Sequence, residues 1–322
     1  MAAPLDSLAP EHRELVSPAP APERSAAMRA VLTDERFSDP EWIYERKLDG
    51  IRCVAIRDGD DVRLLSRNDL SMNERFPEIA TALAGEPCER FAIDGEVVAF
   101  EGSQTSFARL AQRRQRPVPV FLYAFDIVWL GGFDVRELPL LERKRLLRAT
   151  LTPPKGVRIT PHRRERGEEL YAEACRKGWE GLIGKRADSV YTDARSRDWL
   201  KFKCSKGQEL VIGGFTEPKG SRTDLGALLV GHFDDGRLRY AGKVGTGFNR
   251  ETLSELARLL ASLRRENSPF ADELPTRGVT WVEPELVAQI GFSEWTRDGR
   301  LRHPRFLGLR EDKPARKVVR ER

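Results

Sequence analysis

Hydrophobic and polar positions alternate over much of the chain, and that alternation predicts strands more often than helices. Residues 50–56 alternate, Asp58-Gly59-Asp60 supplies turn chemistry, and 62–65 alternate again, which is a hairpin pattern. Residues 91–100 and 118–129 read as further strands, the second apolar enough to be buried on both faces. Helical spacing covers 140–151 and 168–177, and Gly178 suits a helix stop. The character changes at Cys204-Ser205-Lys206-Gly207. Beyond it come short strands at 210–215, 227–233, 238–243 and 287–295, with a tight turn at Asp235-Gly236. One amphipathic helix interrupts them, placing Leu253, Leu256, Leu260 and Leu263 on one face. Several short strands and one helix suggest a small barrel of the OB-fold type. No internal repeat is visible.

Composition changes this picture only at the front. Residues 1–23 carry Pro4, Pro10, Pro18, Pro20 and Pro22 among alanines, a draped or mobile lead-in that cannot build a core. The 322 residues are 40% hydrophobic and 33% charged, a balance that excludes collagen-like, disordered and membrane classes. The longest apolar stretch, 120–130, is short and holds Asp126, so no bilayer span is expected. The first residues show neither a basic head nor an apolar core of a secretory signal. Cys53, Cys88, Cys175 and Cys204 are far apart, so neither a disulfide framework nor a zinc site is expected and a reducing compartment fits. The net charge of +5, from 55 basic and 50 acidic residues, mildly favours a polyanionic partner.

The candidate chemistry begins at Glu45-Arg46-Lys47-Leu48-Asp49-Gly50-Ile51-Arg52. A lysine nucleophile attacks as the free amine, which calls for a pKa lowered by burial, neighbouring cations or a metal. Asp49-Gly50 turns the chain, and Arg52 stands close enough to grip a phosphate. Asp94-Gly95-Glu96, Asp126 after Tyr123-Ala124-Phe125, the run from Glu180 through Lys185 to Arg186, and Trp199-Leu200-Lys201-Phe202-Lys203 follow. Lys201 and Lys203 share a strand face, where a triphosphate could accept both amines. Taken singly, each piece reads equally well as a solvated strand edge.

Taken in order they do not. The chain resembles the covalent nucleotidyltransferase superfamily, and within it the ATP-dependent DNA ligases of the bacterial end-joining type. The elements are Lys47-Leu48-Asp49-Gly50-Ile51-Arg52, Ser66-Arg67-Asn68, Asp94-Gly95-Glu96, Tyr123-Ala124-Phe125-Asp126, Glu180 to Arg186, and Trp199 to Lys203. Tyr240 to Phe248 (YAGKVGTGF) and Arg302 to Lys313 resemble the family's second domain. The resemblance implies an α+β, two-domain chain. A nucleotidyltransferase (adenylation) domain of antiparallel sheets with flanking helices, 24–205, precedes an OB-fold β-barrel, 206–322.

It further implies that Lys47 takes AMP from ATP, that AMP passes to a 5′-phosphate at a nick, and that a 3′-hydroxyl displaces it. Lys201 and Lys203 would hold the α-phosphate. Arg310, Asp312 and Lys313 would swing over ATP to orient the leaving pyrophosphate. Glu45 would reach the adenine edge, Phe125 would stack on adenine, and Glu96 and Lys185 would also contact the nucleotide. Arg52 and Arg67 would hold the nucleotide or the nick phosphate, within DNA contacts made mostly to phosphates. Glu96 and Glu180, with Asp49 as a further candidate, would hold magnesium or manganese. Nicked duplex DNA is the implied partner, a Ku-type end-binding protein a second one, a monomer the default state, and the bacterial cytoplasm and nucleoid the implied location. Two departures stand out: Asp69 follows Ser66-Arg67-Asn68 where the family often has glycine, and Thr192-Asp193-Ala194 replaces another usual glycine. An RNA ligase, a GTP-using mRNA capping guanylyltransferase and a non-catalytic nucleic-acid-binding module are the alternatives.

Overall fold

The computed structural model of the chain describes residues 4–113, 116–152, 154–204, 206–218 and 225–321. The chain forms two compact units, residues 1–204 and 205–322.

The first unit is two sheets. Strands β1 (Arg29–Leu32) and β2 (Trp42–Lys47) lead into the hairpin β3 (Ile51–Asp58) and β4 (Asp61–Ser66). Helix α1 (Pro77–Ala84), β5 (Arg90–Glu101), β6 (Val120–Leu130), α2 (Leu140–Thr150), β7 (His162–Arg164) and α3 (Gly167–Arg176) follow. β8 (Gly181–Arg186) and β9 (Arg195–Lys203) complete the unit. The first sheet runs β6-β5-β3-β4 and the second β7-β2-β8-β9-β1.

Because side chains alternate across a strand, each sheet has two different faces. The outer face of the first sheet carries Ile51, Cys53, Ala55, Ile93, Val97 and Leu122 and packs on Ile79 and Leu83 of α1 and Leu146 and Leu147 of α2. The outer face of the second carries Tyr44, Leu182, Leu200 and Phe202 and packs on Ala174 of α3. Between the sheets lie Val54, Ile56, Ala92, Phe125 and Trp129 from the first and Trp199 from the second. The inner faces therefore confront each other, and the polar positions among these apolar ones line a cleft.

The Pro-rich front of the chain is draped along this unit. Leu8 is buried in the first core, Ser17–Pro18 pairs with Phe133–Asp134, and Trp129 Nε1 donates to Ala19 O. Cysteine usage departs from expectation. Cys175 and Cys204 form a disulfide that ties α3 to the end of β9, so the absence of CxxC spacing did not mean the absence of a bridge. Cys53 and Cys88 are free.

The second unit contains β10 (Lys206–Thr216), β11 (Leu228–Asp234), β12 (Arg237–Val244), α4 (Arg250–Ala261), β13 (Val279–Val282), β14 (Val287–Phe292) and β15 (Arg305–Arg310). The long β10 pairs with β11 along one edge; on the other its first half pairs with β14 and its last residues with β13. That forking, with β14 also pairing β15, curls the sheet around Leu210, Ile212, Val230, Leu256, Leu260 and Ile290. Asn249 caps α4 by accepting the Thr252 amide. The mixed α+β class and the pairing of a nucleotidyltransferase fold with an OB-fold match the expectation. The strand read at 287–295 ends at Phe292, and Glu294–Trp295 pairs separately with Leu301–Arg302. No helix among the described residues is long and apolar enough to cross a membrane.

Candidate active site

Strand register explains which side chains meet. Lys47 on β2 stands opposite Gly181 on β8, itself opposite Lys203 on β9; Glu45, Ile183 and Lys201 form the next row, and Ile43, Lys185 and Trp199 the next. Directly opposed residues share a face. The second sheet thus presents Glu45, Lys47, Lys185, Lys201 and Lys203 together on the face that carries Trp199 into the cleft. Two glycines permit this. A Cβ on Gly50 would lie 2.2 Å from Val97 O, so the turn after Lys47 can sit against β5 only without one. Gly181 has φ +149° and would place a Cβ 1.8 Å from Phe202 O.

Lys47 Nζ lies 2.6 Å from Glu180 Oε1, both side chains about one-fifth exposed. Burial pulls the Lys47 pKa down, but Glu180, hydrogen-bonded to it, with Glu96 and Asp49 nearby, holds it above the ordinary lysine value. In the nucleotide-free chain the Lys47 pKa therefore departs upward, opposite to the depressed value expected of the attacking amine. Burial was counted, whereas the carboxylate arriving from the start of β8 was not. The loop is anchored from the other side, since Asp49 Oδ2 accepts the Phe107 amide and the Asp49 amide donates to Thr105 Oγ1.

Arg52 is committed to a carboxylate. It makes a two-pronged contact with Asp94, which is fully buried, and donates to Met28 O at 3.0 Å. Asp94 also accepts from Tyr191 Oη at 2.6 Å, and the guanidinium stands over the Phe125 and Trp199 rings at 4.7 and 5.7 Å. Ion pairing with Asp94 pushes the Arg52 pKa up despite burial, so the guanidinium stays charged.

A β-bulge between β5 and β6 turns both Phe125 and Asp126 toward the cleft side. Asp126 is paired with Arg143 at 2.8 and 3.0 Å, both fully buried, and Arg143 also donates to Leu138 O and Ser189 O. Phe125 is a packed side chain, edge-on to Trp199 at 6.1 Å, with the Lys185 ammonium 4.3 Å over its ring. Glu45, only 3% exposed, is gripped by Lys144 and by Lys185, the latter at 2.8 Å. Burial raises its pKa, but the two ammonium groups outweigh that and keep it ionised; the Lys185 pKa is pushed down to about 8 by burial.

Arg67 and Asn68 lie on the turn after β4. Asp69 adopts φ +64°, the conformation a glycine there would take, and its carboxylate accepts the Ser25 amide at 2.6 Å. That departure is thus a built feature of the loop. At the second departure, Ala194 O accepts the Arg29 amide at the start of β1. Arg310, Asp312 and Lys313 belong to the second unit. Arg310 pairs with Asp312 at 2.8 Å, and Lys313 reaches Glu209 at 3.1 Å. Among the described residues no three His, Cys, Asp or Glu side chains gather in a way that could hold a metal ion alone.

Sequence reasoning missed Arg143, Lys144, Tyr191 and Glu209. The signal for the first two was Asp126 and Glu45, buried-strand carboxylates that require cationic partners.

The family model described as the ATP dependent DNA ligase domain matches residues 25–203, and that of the ATP dependent DNA ligase C terminal region matches 221–313. A Pseudomonas aeruginosa protein described as multifunctional non-homologous end joining protein LigD is 40% identical over 98% of this chain and 40% of its own length. The Mycobacterium tuberculosis LigD, described as a DNA repair protein, is 36% identical over 87% of this chain and 38% of its own. The chain thus spans about two-fifths of the length of these relatives. The solved structure of mycobacterial DNA ligase D complexed with ATP and MES superposes with TM-score 0.68 at 34% identity, covering 92% of this chain and 98% of that one.

Proposed function

The chain belongs to the ATP-dependent DNA ligase family, and from that premise we propose that it seals 5′-phosphate/3′-hydroxyl nicks in duplex DNA during double-strand break end joining. The observation carrying this reading is the Lys47–Glu180 ion pair, with Lys47 on a sheet face shared with Lys201 and Lys203. The capping, RNA-ligase and non-catalytic alternatives are not favoured by the family match.

In this reading, residues 24–205 are the adenylation domain and 206–322 the OB-fold domain. Lys47 Nζ attacks the α-phosphorus of ATP; the N–P bond forms, the bond to the β-phosphate oxygen breaks, and pyrophosphate leaves. The proton to be shed lies on the hydrogen bond to Glu180 Oε1, so Glu180 is the group placed to take it. Lys201 and Lys203 supply positive charge along the same face where charge develops on the phosphate, and such positioning is most of what phosphoryl transfer requires. Arg310, Asp312 and Lys313 of the OB-fold domain would, by the family resemblance, orient the departing pyrophosphate. Arg67 serves the nick phosphate, while Arg52, held by Asp94, orders the cleft wall behind the nucleotide. A divalent cation, magnesium or manganese, would supply charge neutralisation of the triphosphate. Glu96 and Glu180, both within electrostatic reach of Lys47, are the carboxylates that would hold it, with Asp49 behind them. A Ku-type partner and a monomeric state complete the proposal.

The test is sealing of a nicked, end-labelled duplex with ATP. The expected result is ligation by the wild type and none by Lys47→Ala. Sealing of a nicked RNA duplex in preference to DNA would overturn the assignment.

A further inference from the structure

Lys144 is a buried lysine that the reaction scheme above does not use. It lies on α2, 2% exposed, and reaches into the gap between the two sheets of the first unit. Its Nζ donates to Phe125 O on the first sheet at 3.0 Å and pairs with the Glu45 carboxylate on the second. Its neighbour Arg143 is pinned to Asp126, Leu138 O and Ser189 O, so the helix turn that delivers Lys144 is itself fixed. A buried ammonium is expensive, and an apolar side chain of similar volume would often stabilise a core at least as well. What a cation adds is geometry: it joins two specific acceptors on opposite walls.

We propose that Lys144 is the positioning residue for nucleobase selection, setting Glu45 and Phe125 at the spacing an adenine ring requires between the sheets. This deepens the ligase reading and rests on it, with Glu45 and Phe125 taken as the adenine contacts that the family resemblance implies. Adenine offers an exocyclic amine, a donor that suits a carboxylate. Guanine offers a carbonyl oxygen at the same place, which a carboxylate repels. Without Lys144, Glu45 keeps its ion pair with Lys185, which stands over Phe125 and Trp199, and the carboxylate is drawn that way. The donor-reading geometry is then lost while Lys47 and Glu180 stay in place.

The test measures AMP and GMP uptake by the full chain, with ATP and GTP as competing donors, for wild type, Lys144→Met, Glu45→Gln and the double variant. Lys144→Met is expected to raise KM for ATP by roughly 10- to 100-fold with a smaller change in kcat. The ratio of kcat/KM for ATP to that for GTP should fall by a similar factor. The double variant should show little more loss than Glu45→Gln alone, because the two act through one contact. Where Lys144→Met does not fold, Lys144→Gln keeps a donor to Phe125 O without the charge, and the same fall in the ratio is expected. A loss shared equally by ATP and GTP, or single-variant losses that add in the double, would overturn the inference. A wild type that takes up no AMP from ATP would overturn the ligase reading and this inference with it; a charging wild type with an unchanged ratio in both Lys144 variants sinks the inference alone.

Discussion

Replacing Glu180 with Gln should lower the pKa of Lys47 in the nucleotide-free protein. The pair is 2.6 Å apart and only 19% and 21% exposed, so solvent screens it weakly. An opposite charge at such range favours the charged form of a titrating group, the more so where solvent screens it weakly. Glu180 stabilises the ammonium, which raises the pKa; the amide removes that charge and leaves the desolvation that lowers it. Glu96 and Asp49 remain, so part of the elevation persists. The assay is competitive acetylation with limiting anhydride between pH 7 and 9, with a free amine as internal standard and the Lys47 peptide read by mass. Far below the pKa, the fraction of free amine rises as the pKa falls, so Lys47 should be acetylated faster in the variant than in the wild type. An equal or slower rate in Glu180→Gln would refute the argument that this carboxylate holds Lys47 protonated.

Three further outcomes follow from packing. Arg143→Met should destabilise the first unit by about 3–5 kcal/mol, because it strands the Asp126 charge, and Arg143→Met with Asp126→Leu should recover most of that in urea unfolding. Gly50→Ala should lose about 3 kcal/mol and AMP uptake together, since the added Cβ meets a backbone carbonyl that has no room to yield. Cys175→Ser, compared with the oxidised wild type, should lose about 3–4 kcal/mol, as expected for releasing a bridge across 29 residues; equal melting before and after reduction of the wild type would contradict it.

Strand alternation was enough to foresee that Glu45 and Lys47 share a face, as do Lys201 and Lys203, because each pair sits two residues apart. It could not show that these rows stack across β2, β8 and β9, since register between distant strands depends on long-range pairing. Arg143 and Lys144 were hidden for a related reason. In the helix, the run Glu142-Arg143-Lys144-Arg145 reads as four solvated charges, and only the folded sheets reveal that two of its cations point inward. The Cys175–Cys204 bridge likewise joins residues with no local signature. Asp69 shows the opposite case: a departure from the family pattern that its own backbone conformation and a single hydrogen bond explain.

The central claim is that Lys47 is the nucleophile that accepts AMP. Intact mass should be read after stripping the protein with pyrophosphate and incubating it with magnesium and ATP, with GTP as the control. Gain of one AMP with ATP alone, absent in Lys47→Ala, is the predicted result. Gain of GMP, or AMP retained by Lys47→Ala, would contradict it.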